Sequence, residues 1–262
     1  MAEGKGRGGG GMKPNSFSPG RLALSCTTVR DMIGIAYGSF ASGRFDPFSS
    51  PLIEGGPAWI NSDPYTIEAK AAGTPNEGIV AGVMLQTLLE DRFQLKIHRE
   101  SRDVPVYELT VAKGGLKMQR FKEGTCAPVD LLKLVSQYPP APPLSDAPPG
   151  LKYCRFQGTM SGPNVTEDDQ AITLDTFIKF ALRRLDRPVV DKTGLTGLFE
   201  IRLTYAPDET SGGQPEPDEH SNDPAGPSIF TALEQQLGLK LALAKAPGEF
   251  LIIDSVERPS EN

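Results

Sequence analysis

The tetrapeptide Asp191-Lys192-Thr193-Gly194 is the stretch of this 262-residue chain that comes closest to a reactive motif. An Asp-Lys-Thr-Gly-Thr sequence carries the phospho-aspartate of P-type ATPases. That chemistry needs Mg²⁺ held by further carboxylates and a nucleotide-binding domain. Here Leu195 follows the glycine, no Gly-Asp-Gly partner occurs, and no apolar run reaches the roughly 20 residues that span a bilayer. The stretch is read instead as a turn between Val189-Val190 and Phe199–Leu203, with Gly194 and Gly197 at positive φ. The run Gly8–Gly11 lacks the Lys-Ser/Thr and the preceding strand of a phosphate-binding loop, and is read as a tail. The two histidines, His98 and His220, fall on a predicted strand and in an acidic loop. A metal site needs three or four convergent ligands, so none is expected. No Gly-x-Ser-x-Gly elbow occurs. Glu68, Glu90, Asp91 and Glu108 do not pair into an acid–base couple without geometry, and Glu90-Asp91-Arg92 reads as a solvated helix face. Trp59, just before a strand, reads as a packing anchor. No catalytic, cofactor-binding or metal-binding residue is assigned, and no cofactor is expected.

Three cysteines remain. Cys126 and Cys154 flank a Pro-rich segment, and Cys26 precedes the first predicted helix. No Cys-x-x-Cys or Cys/His cluster suggests zinc. The pair Cys126/Cys154 suits either a disulfide in an oxidising compartment or two thiols in a reducing one. Cys26 is expected to be free and buried.

The elements that carry these residues are written twice. TVRDMIGIAY (28–37) aligns with TLDTFIKFAL (173–182), and LQTLLEDRFQLK (85–96) with IFTALEQQLGLK (229–240), at offsets of 145 and 144 residues. Such repetition is read before anything else, because it decides the fold. In the first pair, Val29, Met32, Ile33, Ala36 and Tyr37 match Leu174, Phe177, Ile178, Ala181 and Leu182 at the spacing of one apolar helix face. Thr28 and Thr173 stand where N-caps belong. In the second pair, Leu85, Leu88, Leu89 and Phe93 match Ile229, Ala232, Leu233 and Leu237. Arg21–Ser25 alternates like a short strand, as do Tyr65–Ala71 and its counterpart Phe199–Tyr205. Two strands follow each second helix: Leu95–Arg99 and Val106–Ala112, then Leu239–Ala244 and Phe250–Val256. The connections SRDVP and KAPGE are read as hairpins.

The fold class is therefore α+β. The expectation is two tandem two-layer modules of the β-α-β-α-β-β type, with helices on one face of each sheet. The expected division is a Gly-rich tail (1–20), a first module (21–118), a Pro-rich linker (119–165) and a second module (166–262). An acidic loop, 206–227, interrupts the second module. It carries six acids and no Lys or Arg, and so accounts for the whole net charge of −6. With 38% apolar residues the chain has material for two cores, and it shows no clustered basic footprint for nucleic acid.

Four phrases carry a resemblance: GGPAWINSDPYTIEAKA (55–71), LLEDRFQLKIHRESRDVPVYELTVAKGG (88–115), RPVVDKTGLTGLFEIRL (187–203) and PSIFTALEQQLGLKLALAKAPGEFLIIDSVERPSEN (227–262). In this order they resemble a large paralogous family of uncharacterised soil-associated proteins abundant in Acidobacteria. Some members carry the domain behind an antirepressor-type membrane metallopeptidase. The resemblance implies export, hence a periplasmic or secreted protein. It also implies a missing upstream signal and first strand, leaving the first module the less stable, and pairing of Cys126 with Cys154. Each half is also similar to the short N-terminal domain of secretins and TonB-dependent receptors, which ends in a Gly-Leu-x-hydrophobic hairpin like LGLKLALAKAPGEFLII. The functional expectation is a non-enzymatic extracytoplasmic binding protein for a protein, peptide or envelope ligand. The alternatives are a regulatory domain acting with an antirepressor-type peptidase, and a hydrolase with an unrecognised carboxylate site.

Overall fold

The helices begin where the sequence provides a cap. In the computed structural model, which describes residues 15–140, 144, 147–211 and 225–260, Thr28 and Thr173 are both extended. Thr28 accepts the Asp31 N–H at 3.1 Å, and Thr173 accepts the Thr176 N–H at 3.1 Å. Each such bond satisfies an amide that the helix start leaves unpaired, and is worth about 1 kcal/mol. The Gly8–Gly11 run, His220 and four of the six acids of the 206–227 loop lie outside the described residues.

In chain order the elements are β1 (Ser16–Ser18), β2 (Arg21–Thr28), α1 (Val29–Ile33, prolonged by a π turn, Gly34–Ser39), β3 (Leu52–Gly55), β4 (Pro64–Lys70), α2 (Glu77–Ile79), α3 (Leu85–Phe93), β5 (Lys96–Val111), β6 (Gln119–Arg120), α4 (Leu131–Val135), β7 (Phe156–Ser161), β8 (Asn164–Ile172), α5 (Leu174–Phe180), β9 (Val189–Asp191), β10 (Phe199–Tyr205), α6 (Ile229–Ala232, prolonged by a π turn, Leu233–Leu237) and β11 (Leu239–Ser255). The class is α+β. Three sheets form, in the orders β1-β2-β4, β6-β10-β8-β7 and β3-β11-β5-β9.

The chain divides into two compact units. The first gathers residues 1–101, 135–141 and 249–262. Its antiparallel sheet sets Leu24 opposite Ile67, then slips to Thr27 opposite Tyr65. Cys26 occupies this bulge at φ 49. The α1 stripe (Val29, Met32, Ile33, Ala36) and the α3 stripe (Leu85, Leu89, Phe93) are buried in one cluster with Leu22 and Leu24. Leu251 and Ile253 of β11 complete that core. β3 lies parallel to the same stretch of β11, with Leu52 opposite Phe250.

The second unit gathers residues 102–134 and 142–248. Its antiparallel sheet sets Asp169 opposite Ile201, then slips to Ile172 opposite Phe199. Ala171 occupies the bulge at φ 54. Leu174, Phe177, Leu182, Ile229, Leu233 and Leu237 from the helical segments share a core with Phe199, Ile201 and Leu203 of β10. Tyr107 and Leu109 of β5 belong to it, and β9 runs parallel to them, with Val189 opposite Tyr107.

Two expectations are corrected. Neither SRDVP nor KAPGE turns: β5 and β11 run unbroken through them, for 16 and 17 residues. A tight two-residue hairpin turn needs positive φ, and no residue of 99–106 or 244–249 has it. Gly248 serves a close approach instead, because a Cβ there would meet the Val104 side chain at 2.8 Å. Consequently the second half of each long strand packs away from the helices that precede it in sequence. Cys26 is free but exposed, because the bulge turns its side chain out of the alternation that buries Leu24 and Thr27. The segment 119–165 holds β6, α4 and β7. Within it, Tyr138 belongs to the first unit, where its ring lies 5.4 to 5.9 Å from those of Phe17, Phe40 and Phe45. The strand immediately before α5 is β8, and CRFQGTM contributes its hairpin partner β7. β1 stands in the same relation to β2, so β2 has a strand neighbour on each side.

Candidate binding surface

The hairpin of β7 and β8 pairs Ser161 with Asn164 across Gly162-Pro163, with Gly162 at φ 54. β8 is interior to its sheet, while β7 is the last strand in the order, so its outer edge has no strand neighbour among the described residues. All six residues of β7 are exposed. Phe156 is 39% and Met160 66% exposed. Edge strands are normally blunted by charge, proline or covering structure. The sequence FQGTMS has neither charge nor proline.

Asp169 ties β7 to the core. It is 1% exposed, on the interior strand β8. Its Oδ1 accepts the Gln157 N–H at 3.2 Å, while the buried Oδ2 has no hydrogen-bond partner. Burial pushes the carboxyl up to about 7; the Gln157 N–H opposes this, and the charges of Glu167 and Asp168 add to it. Glu167 is also raised by burial, against the pull of Arg184. Gly158, opposite Glu167, leaves it room: a Cβ there would stand 2.8 Å from Oε2. Because Oδ2 is sealed, Asp169 meets no substrate in this conformation. It acts as a charge-sensitive anchor for β7.

Beside the hairpin lies a cleft of about 930 Å³, with Leu131, Leu132, Leu174 and Leu198 among its apolar walls. Phe156, the first residue of β7, is part of the wall, and so is Cys154. Cys154 is bonded to Cys126, closing a loop over a separation of 28 residues with Cα atoms 4.9 Å apart. The disulfide and Asp130, which accepts the Lys133 N–H at 3.0 Å at the start of α4, hold the loop that makes this wall.

The residues singled out from sequence do not converge. Asp191 closes a turn, accepting the Thr193 N–H at 2.8 Å and hydroxyl at 2.7 Å, and Gly194 and Gly197 have φ of 67° and 98°. His98 lies exposed against Asp254 at 2.9 Å. Glu90 accepts the Tyr37 hydroxyl at 3.1 Å; Glu68, Glu90 and Asp91 are exposed and Glu108 is half-buried. Trp59 packs edge-on to Tyr65 under the Arg258 guanidinium, 5.1 Å from its ring, as a packing anchor would. Cys26 shares a cleft of about 800 Å³ with Arg30, Asp31, Ile35 and Ile53. Among the described residues no three His, Cys, Asp or Glu side chains are grouped to hold a metal. No described helix is long and apolar enough to cross a membrane.

Compared with known proteins, residues 30–256 match the family described as protein of unknown function DUF3738. No curated protein and no solved structure matches the chain.

Proposed function

The chain belongs to the DUF3738 family of proteins of unknown function, and we propose that it is a binding protein that takes an extended peptide as an added strand on β7. One observation carries the reading: β7 is a six-residue sheet edge, exposed along its length and without a charged or proline gatekeeper. Main-chain hydrogen bonds to such an edge supply affinity for many sequences, and pockets beside it select among them. The buried carboxylate at Asp169, which costs stability at neutral pH, is a feature that core packing alone does not require. The disulfide also supports a periplasmic or secreted location, since such bonds persist in oxidising compartments.

We read the two units as products of one duplicated module. The bulge residues Cys26 and Ala171 have positive φ at an offset of 145. The helix ends Gln94 and Gly238 do so at 144, the offsets of the sequence repeats. The pairs Leu24–Ile67 and Asp169–Ile201 occupy the same step before each bulge. Within this pattern β7 is the second unit's version of the three-residue β1, lengthened to six.

The test is selection of binders from a displayed library of eight-residue peptides on the intact, oxidised protein, followed by N-methylation of each peptide nitrogen in turn. An added strand predicts sensitivity at alternate nitrogens only, with slowed hydrogen exchange in β7. Binders indifferent to N-methylation, or protection elsewhere, would sink the reading.

A further inference from the structure

The cleft beside Phe156 has a charge character as well as an apolar one. Three aspartates line it, Asp130, Asp175 and Asp191, with no Lys or Arg among its lining residues. Asp175 is paired with Lys179 at 3.0 Å. Asp130 and Asp191 spend their Oδ1 atoms on the uncharged N–H groups of Lys133 and Thr193. These bonds fix the two carboxylates in place without neutralising them. The result is an apolar hollow with negative charge at fixed positions, opening beside the first residue of an edge strand.

We propose that this cleft seats an apolar side chain of the peptide added to β7, and that a neighbouring Lys or Arg of the same peptide reaches Asp130 and Asp191. The partner is thus an extended segment of alternating apolar and basic residues. The inference rests on the reading of β7 as the docking edge. Phe156 joins the two features, since it begins β7 and also forms the cleft wall. Alternation follows from strand geometry: in an added strand every second side chain points to the same side. A volume of about 930 Å³ lies in the range of ordinary ligand sites and holds more than one large side chain. Burial of those side chains drives binding, and the aspartates reject acidic segments through like-charge repulsion. Disulfide reduction would release the loop carrying Val129, Asp130 and Leu131, so binding belongs to the oxidised protein.

The probes are two fluorescein-labelled octapeptides, one of alternating Lys and Leu and one of alternating Glu and Leu, followed by anisotropy on the intact oxidised chain. The basic peptide is expected to bind and the acidic one not. In the double variant Asp130→Asn/Asp191→Asn both turn-closing acceptors remain while both charges are lost. Two partly exposed ion pairs predict about tenfold weaker binding at low salt, and a difference that shrinks as salt rises. Equal binding of the two peptides, or an unchanged affinity in the double variant, would overturn the inference. Alternate N-methylation of the basic peptide separates the two readings. If N-methylation abolishes binding and the double variant does not weaken it, the cleft assignment fails and the edge reading stands. If the double variant weakens binding and N-methylation has no effect, the edge reading fails, and the inference as stated falls with it.

Discussion

Replacing Asp169 by Leu should stabilise the second unit, and should do so only above acidic pH. The carboxyl titrates near 3.8 in the unfolded chain and at about 7 when buried. Below pH 4 it is neutral in both states and imposes no ionisation penalty. Between pH 4 and 7 the unfolded chain releases the proton and the folded chain holds it. Folding therefore loses up to about 1.4 kcal/mol per pH unit, and the loss saturates near 4 kcal/mol above pH 7. Leucine removes this penalty, adds apolar burial worth roughly 2 kcal/mol, and leaves the Gln157 N–H without its acceptor at a cost of about 1–3 kcal/mol. The two structural changes nearly cancel, so the variant should match the parent near pH 4 and exceed it by about 4 kcal/mol at pH 8. Asp169→Asn isolates the charge, because the amide oxygen can still accept from Gln157. Native-state hydrogen exchange of amides in β8 and β10, measured from pH 5 to 8, reads this unit apart from the other; a global midpoint mixes the two. Parallel stability–pH curves for parent and Asp169→Leu would refute the argument that Asp169 is folded in its neutral form.

Thiol titration of denatured, unreduced protein should give one free thiol, and the native protein should already react at that thiol, since Cys26 is exposed; three thiols, or no native reaction, would contradict the structure. Opening the Cys126–Cys154 loop should destabilise the second unit by about 3–4 kcal/mol in the chain-entropy account, measurable by denaturant unfolding with and without reductant. Two glycines at similar positive φ should respond unequally to alanine. At Gly238 (φ 69) a Cβ would stand 2.1 Å from the Gly115 carbonyl oxygen, whereas at Gly194 (φ 67) it would meet nothing within 4 Å. Gly194→Ala should therefore show only the backbone strain of about 1–2 kcal/mol, with Gly238→Ala clearly worse in thermal unfolding; equal losses would argue against the close approach.

Much of the local structure was legible in the residues. The stripes of α1 and α5, the caps Thr28 and Thr173 and the turn at Asp191 depend on neighbours within a few positions, so the spacing of side chains determines them. What the sequence left open is where the long strands go. Ser101 to Pro105 and Lys245 to Glu249 contain residues that tolerate a turn and residues that tolerate an extended chain. The choice falls to hydrogen-bond partners far away in sequence. β3 and β9 lie parallel along the later parts of β11 and β5, and Leu251 and Tyr107 enter cores whose helices lie elsewhere in the chain. The candidate site divides in the same way. Asp169 itself can be read off the chain, but its sealed Oδ2 needs β7, β8 and β10 together. That β7 is an edge, and that a cleft opens beside Phe156, follow from the order of strands in a sheet. Sheet order is a non-local property, because each strand's neighbour is chosen by packing rather than by the residues next to it in the chain.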